Sequence, residues 1–387
     1  MPLSDKSKAI TPSMTFAIDS RAKAMGAQGI EVCNFGVGEP DFDTPQHVRE
    51  AAKAALDAGY TRYGPPPGIP RLRELIAEKL RRENNLPYTT SQIVVTTGGK
   101  QALVNTIMAI LSAGEEALIP APYWVTYPEI VKLAYGIPVF VPTTEATGFK
   151  VTPEHLLAAI TPKTRLIILN SPSNPTGAVY TRAELAALAE VLVAHNIAVI
   201  SDEIYEKLIY DGAGHISIGS LNEDIFNLTI TCNGLSKAYA ATGWRLGYAA
   251  GPEHIIKAAT SIQSQTTSCT NTFAQYGAIA ALEGSNDAME SMRQVFEHRR
   301  DVLYARLCEI PGLHVSKPQG AFYIFPNIGA LNVDSISFCE QLLEQEHVAL
   351  VPGAAFGADA NIRISYATDL KTIEKGVEGL ARFIRSL

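Results

Sequence analysis

Short apolar runs rich in valine, isoleucine and leucine alternate, through the first two thirds of the chain, with longer stretches whose apolar residues recur at helical spacing. The runs at 93–97, 117–120, 137–141, 165–170, 198–201, 228–231 and 246–250 predict strands. Stretches beginning at Lys100 and Trp124, and those at 153–160 and 182–195, predict helices between them. Helices at 45–58 and 69–84, and a short one at 16–25, are predicted ahead of the first strand. This alternation predicts an α/β fold with a mainly parallel seven-stranded sheet covered by helices. After about residue 285 the pattern changes to a long helix at 287–309, strand-like pieces at 321–325, 348–351 and 362–366, and a final helix at 370–384, which reads as a smaller α+β unit. A chain of 387 residues is long for one core. The expected organisation is therefore a large domain at 46–284 and a small domain made of 1–45 together with 285–387.

Hydrophobic residues at 47% and charged residues at 18% fit a well-buried globular enzyme rather than a disordered chain. The formal net charge of −7, without a long basic run, argues against nucleic acid or an anionic membrane as partner. The two basic clusters, at 79–82 and 298–300, lie on helical patterns and read as solvated faces. Cys33, Cys232, Cys269, Cys308 and Cys339 are scattered without the paired spacing of a zinc site or disulfide framework, so they read as reduced and mostly buried thiols. No apolar signal segment opens the chain and no stretch reaches the length of a membrane span, so the expectation is a soluble cytoplasmic protein.

In sheets of this kind ligands bind beyond the carboxyl ends of the strands. The residues there are Gly98-Gly99-Lys100, Asn170 with the loop to Asn174, Asp202 with Tyr205, and the loop Gly234-Leu235-Ser236-Lys237. Lys237, hemmed in by small residues, reads either as a Schiff-base lysine activated by desolvation or as a loop lysine facing water. Asp202 ends an apolar strand, so its carboxylate needs a partner such as a protonated ring nitrogen, unless it only caps a turn. Gly98-Gly99 at a strand-to-helix junction offers free amides to a phosphate, or is merely a tight turn. Arg363 is suited to gripping a carboxylate, and Trp124, opening its helix, to stacking on a flat ring; a surface ion pair and a core role are their ordinary alternatives. The eight histidines are too dispersed for zinc, and the Gly-x-Gly-x-x-Gly, P-loop and Gly-x-Ser-x-Gly patterns are absent.

The run Ser236-Lys237-x-Tyr239-Ala240-x-Thr242-Gly243-Trp244-Arg245-x-Gly247, with Asn174-Pro175-Thr176-Gly177, Asp202-x-x-Tyr205 and Arg363 in order, resembles the signature of fold-type I, class I aminotransferases that use pyridoxal 5′-phosphate. Gly36-Val37-Gly38-Glu39-Pro40-Asp41-Phe42, Tyr63-x-Pro65-Pro66-x-Gly68 and Pro122-Tyr123-Trp124-Val125 resemble the aspartate aminotransferases of subgroup 1-beta. The resemblance implies that Lys237 forms the Schiff base with the cofactor, that Asp202 pairs with its ring nitrogen, and that Asn174 and Tyr205 bond its phenolic oxygen. Trp124 would stack on the ring. Gly99, Lys100, Ser236 and Arg245 would hold the phosphate, with Tyr63 reaching in from a second subunit of a homodimer. Gly38 and Arg363 would take the substrate's α-carboxylate, with Trp124 and Asn174 beside it, and Thr15 and Lys100 the distal one. The implied reaction is ping-pong transamination of L-aspartate with 2-oxoglutarate, so the partners are amino acids and 2-oxo acids. Members that also accept prephenate tend to carry a basic residue where this chain has Thr11. A C–S lyase would share the same core residues. A cofactor-sensing regulator is disfavoured, because the chain carries neither a DNA-binding segment nor a basic patch.

Overall fold

The computed structural model describes residues 1–12 and 14–387. A two-residue strand, β1 (Cys33–Asn34), precedes the main sheet. That sheet is formed by β2 (Ile93–Thr96), β3 (Glu116–Ala121), β4 (Ile137–Pro142), β5 (Thr164–Asn170), β6 (Ala198–Asp202), β7 (Thr229–Gly234) and β8 (Gly247–Ala250). Its order is β2-β8-β7-β6-β5-β3-β4, and β8 alone runs against the rest. The seven expected strands are thus all present. β7 extends to Gly234, past the apolar run that marked it.

Beyond the sheet come β9 (Tyr323–Ile324), β10 (Val348–Ala349), β11 (Val351–Pro352) and β12 (Ile362–Ser365). β11, β12 and β9 form a small antiparallel sheet, and β10 pairs with β1 in parallel. The predicted run at 348–351 is therefore two separate strands. Two further helices, Glu253–Thr266 and Thr272–Glu283, had no counterpart in the sequence reading.

Alternation along the strands explains why helices cover both faces of the main sheet. Leu118, Ile167 and Val199 pack in one cluster with Leu185 and Leu188 of the helix Arg182–Ala194. Their neighbours Ala117, Ile119, Ile168 and Ile200 pack on the other side with Leu103 and Ile107 of the helix Gly99–Ile110. Strands buried on both faces carry the near-continuous apolar runs that made them legible. A third core gathers Phe296, Phe322, Phe338 and Phe383, and it takes in Tyr205, Leu208 and Tyr210 from the segment after β6. The segment that follows β6 is thus anchored in this core.

The solvated reading of the basic clusters holds only for Arg81, Arg82 and His298, which are exposed. Lys79 is buried and pairs with Glu206. Arg299 forms two hydrogen bonds with Asp41, at 2.7 and 2.9 Å, and the fully buried Arg300 does the same with Asp211 at 2.7 and 2.9 Å. Each buried cation has a carboxylate partner, as desolvation requires. All five cysteines are free, with Cys33, Cys232 and Cys339 buried and Cys308 exposed. Among the described residues no helix is long and apolar enough to cross a membrane.

Candidate active site

The carboxyl ends of β2, β5, β6 and β7 and the amino end of β8 open onto one cavity of about 560 Å³. Asp202 closes β6 inside it, buried to 5% exposure. Tyr127 Oη donates to Asp202 Oδ2 at 2.7 Å, while Oδ1 takes only the Ile204 amide at 3.3 Å. Burial pushes the Asp202 carboxyl up to about 6, against the lowering effect of these two donors. A carboxylate so placed is short of a positive partner.

Lys237 follows β7, and its amine donates to the carbonyl of Gly38. Burial brings the amine down to about 8; Arg363 and Arg245 push the same way, while Glu39 and Asp202 oppose. The Lys237 side chain is half-buried and stands in the cavity wall. An amine with that depressed value is substantially neutral near pH 8 and available to attack a carbonyl.

The helix Gly99–Ile110 starts at the end of β2, and the amides of its first turn have no acceptor within the helix. Gly98 has φ +81°, and a Cβ there would lie 2.6 Å from Arg245 Nη2. A Cβ on Gly247 would lie 2.4 Å from the Gly99 nitrogen. Only glycine lets β8 and the Arg245 guanidinium close on this turn, and together they make a cradle for an anion. Ser236 is buried beside it in the cavity wall.

Arg363, on β12, is 2% exposed. Its Nη1 donates to Asn174 Oδ1 at 3.1 Å and its Nη2 to the Gly36 carbonyl at 2.8 Å, whereas Nε is buried without a partner. The guanidinium lies 4.5 Å from the Tyr323 ring centroid and 5.0 Å from that of Phe356. Tyr205 Oη is 2.9 Å from Tyr323 Oη. Trp124 lies two residues ahead of the helix Thr126–Leu133 rather than opening it, and meets Tyr127 edge-on at 5.4 Å. Lys100 Nζ stands 4.9 Å from the Trp124 ring, its pKa lowered by partial burial and by Arg245. Thr15 and Gly38 also line the cavity.

All the candidate residues thus line one cavity, apart from Tyr63. That side chain is 89% exposed and borders a separate recess with Ser268 and Cys269. Tyr127, Tyr323 and Glu39 also line the cavity but were missed in the sequence. For Tyr127 a signal existed in its position three residues after Trp124, which puts the two on one side of a helical turn.

These residues fit pyridoxal 5′-phosphate. A buried carboxylate short of a cation, a depressed lysine, an anion cradle and a guanidinium with an unpartnered Nε meet the needs of its ring nitrogen, aldehyde and phosphate and of a substrate carboxylate. The model for the aminotransferase class I and II family matches residues 30–380. An aspartate aminotransferase of Bacillus subtilis is 49% identical over 391 aligned residues, which cover 99% of each chain. An aspartate/prephenate aminotransferase of Cereibacter sphaeroides is 47% identical, covering 100% of this chain and 99% of its own. The structure of the aspartate aminotransferase from Thermus thermophilus with maleate superposes with a TM-score of 0.95 at 45% identity, covering 99% of this chain and 100% of that one. With its cavity and its match along nearly the whole length, the chain belongs to the class I and II aminotransferases, and its cofactor is pyridoxal 5′-phosphate.

Proposed function

We propose that the protein transaminates L-aspartate with 2-oxoglutarate, yielding oxaloacetate and L-glutamate, as a cytoplasmic homodimer. The observation that carries the substrate reading is the buried Arg363 with its unpartnered Nε, in a cavity that also holds the Lys100 cation and Thr15. Two cations suit a dicarboxylate. The full-length likeness to proteins named aspartate aminotransferase, and to one whose structure holds the four-carbon dicarboxylate maleate, supports the same choice.

In this reading Asp202 holds the ring nitrogen, Asn174 and Tyr205 the phenolic oxygen, and Trp124 the ring face. The Gly99 and Lys100 amides, Ser236, Arg245 and the partner protomer's copy of Tyr63 hold the phosphate. When bound, the cofactor supplies a protonated ring that draws electrons from the bonds at the substrate's Cα. Arg363 and Gly38 receive the α-carboxylate, and Lys100 and Thr15 the distal one. The Lys237 amine would take the proton from the substrate's Cα and return it to the cofactor's C4′, a task that suits a base with a pKa of about 8. Burial of Asp202 favours an ion pair there over a hydrated carboxylate. The large domain at 46–284 carries the sheet, and the small domain, 1–45 with 285–387, brings Arg363. The hydrogen bond of 2.7 Å from Thr242 to Glu39 is suited to holding the two together over the cavity.

The test is a half-reaction. Cofactor-loaded protein mixed with L-aspartate alone is expected to release stoichiometric oxaloacetate, with an absorbance change that 2-oxoglutarate reverses. Absence of oxaloacetate overturns the substrate assignment, and release of a thiol, pyruvate and ammonia from an S-substituted cysteine offered in its place indicates a lyase. The likeness to the Cereibacter sphaeroides protein makes prephenate the next acceptor to try. Position 11 is Thr11, whose backbone amide donates to the Glu129 carboxylate at 2.9 Å and which brings no cation for prephenate's second carboxylate.

A further inference from the structure

We infer that Tyr323 is a positioning residue for the reaction, joining the arginine that receives the substrate carboxylate to the tyrosine hydroxyl that faces the cofactor ring. This rests on the roles proposed above for Arg363 and Tyr205.

β9 and β12 are antiparallel with Tyr323 opposite Ser365, so Arg363, two residues along β12, lies diagonally across on the same face. Diagonal neighbours are within reach of long side chains, and the guanidinium does settle 4.5 Å from the Tyr323 ring centroid. The other end of the same ring reaches Tyr205, contributed by the segment after β6, with 2.9 Å between the hydroxyls. Tyr323 is 1% exposed. A Cβ on Gly38 would come within 3.2 Å of its hydroxyl, so the loop whose carbonyl accepts from Lys237 also closes over it.

A phenylalanine would fill this space and keep the contact with Arg363. The hydroxyl adds something separate. Of the two O–H protons, one lies between the oxygens. If Tyr323 donates it, the proton of Tyr205 is left for an acceptor in the cavity. The positive charge of Arg363 over the Tyr323 ring favours that arrangement, because it makes the phenol a better donor. A carboxylate arriving at Arg363 offsets the charge and so changes how strongly Tyr205 donates. Substrate binding is thereby felt at the ring's phenolic oxygen through one side chain.

The experiment compares cofactor-loaded wild type, Tyr323→Phe and Tyr323→Leu. Three readouts are taken: the pH midpoint of the bound cofactor's absorbance change, the dissociation constant of maleate by calorimetry, and kcat and KM for aspartate. A donor on the phenolic oxygen competes with a proton on the lysine-linked nitrogen, so weaker donation raises the midpoint. Tyr323→Phe is expected to raise it by about half a unit or more and to lower kcat about three- to tenfold, leaving maleate affinity within about twofold. Tyr323→Leu is expected to weaken maleate binding as well, about tenfold. A midpoint and kcat in Tyr323→Phe equal to wild type would overturn the role of the hydroxyl. Equal weakening of maleate binding in both variants would reduce Tyr323 to packing beneath Arg363. A wild type that neither binds maleate nor releases any 2-oxo acid would instead bring down the functional reading itself.

Discussion

The hydroxyl of Tyr127 donates a 2.7 Å hydrogen bond to the carboxylate of Asp202, and both residues are buried. Tyr127 comes from the helix after β3, while Asp202 ends β6, so the contact ties the carboxylate to an element distant in sequence. One oxygen is thereby occupied, and the other is left facing the cavity with a single long amide bond.

This arrangement makes Asp202 a liability in the cofactor-free protein. Its folded pKa of about 6 stands above the ordinary value of 3.8, so folding is favoured by this group at low pH and loses that contribution as the pH rises through 6. In cofactor-free protein at pH 8, Asp202→Asn is expected to be stabilising by about 2 kcal/mol, raising the melting temperature by a few degrees, and the gain should shrink by roughly half at pH 5. Cofactor affinity should move the other way and fall. Melting curves of both cofactor-free proteins at the two pH values check this; a variant that melts below wild type at pH 8 contradicts it.

Lys237 offers a second pH dependence. With its amine near 8 in place of 10.5, the neutral form grows in steeply between about pH 7 and 9 and then saturates. The rate at which cofactor-free protein takes up pyridoxal 5′-phosphate, followed by absorbance, should therefore level off by about pH 9. A rate that climbs tenfold per unit through pH 10 would mean an amine that is not desolvated.

The sheet was readable because strands buried on both faces leave unbroken runs such as Leu166 to Leu169 and Val199 to Ile200. Asp202 and Lys237 were readable because one ends and the other follows such a run, and Arg363 because it stands inside a short buried strand. What local pattern could not carry was the identity of distant partners. Tyr127 lies 75 residues from Asp202, and Tyr205 lies 118 from Tyr323. The same limit explains the misread basic clusters, since Lys79 finds Glu206 127 residues away and Arg299 finds Asp41 258 residues away. Helical spacing tells which face a charge is on, but not whether a carboxylate from elsewhere has come to bury it.

The Lys79 pair gives a prediction about the fold alone. Burial would raise the Glu206 carboxyl, but Lys79, with His215 and Lys207, holds it down at about 2. Lys79→Met leaves this buried carboxylate without its main partner, and should cost about 3 kcal/mol at pH 7. A depressed carboxylate contributes its stability above 4.5 and loses it as the pH falls toward 2, so the gap between wild type and variant should narrow at pH 3. Adding Glu206→Gln to the variant should recover much of the loss, which urea titrations of the four proteins would measure as a coupling energy.

Tyr63 provides the test of the proposed dimer. Its exposed ring lies outside the cavity of its own chain, so if it serves the phosphate it must serve the partner protomer's. Lys237→Ala and Tyr63→Ala are each expected to be nearly inactive at limiting cofactor. Mixed, unfolded and refolded together in equal amounts, they should form hybrids in half of the dimers. In each hybrid one site carries both defects, while the other draws Lys237 from one chain and Tyr63 from its neighbour, so activity should recover to about a quarter of wild type. Were Tyr63 to act within its own chain, every site in every hybrid would keep one defect, and the mixture would stay as inactive as its components.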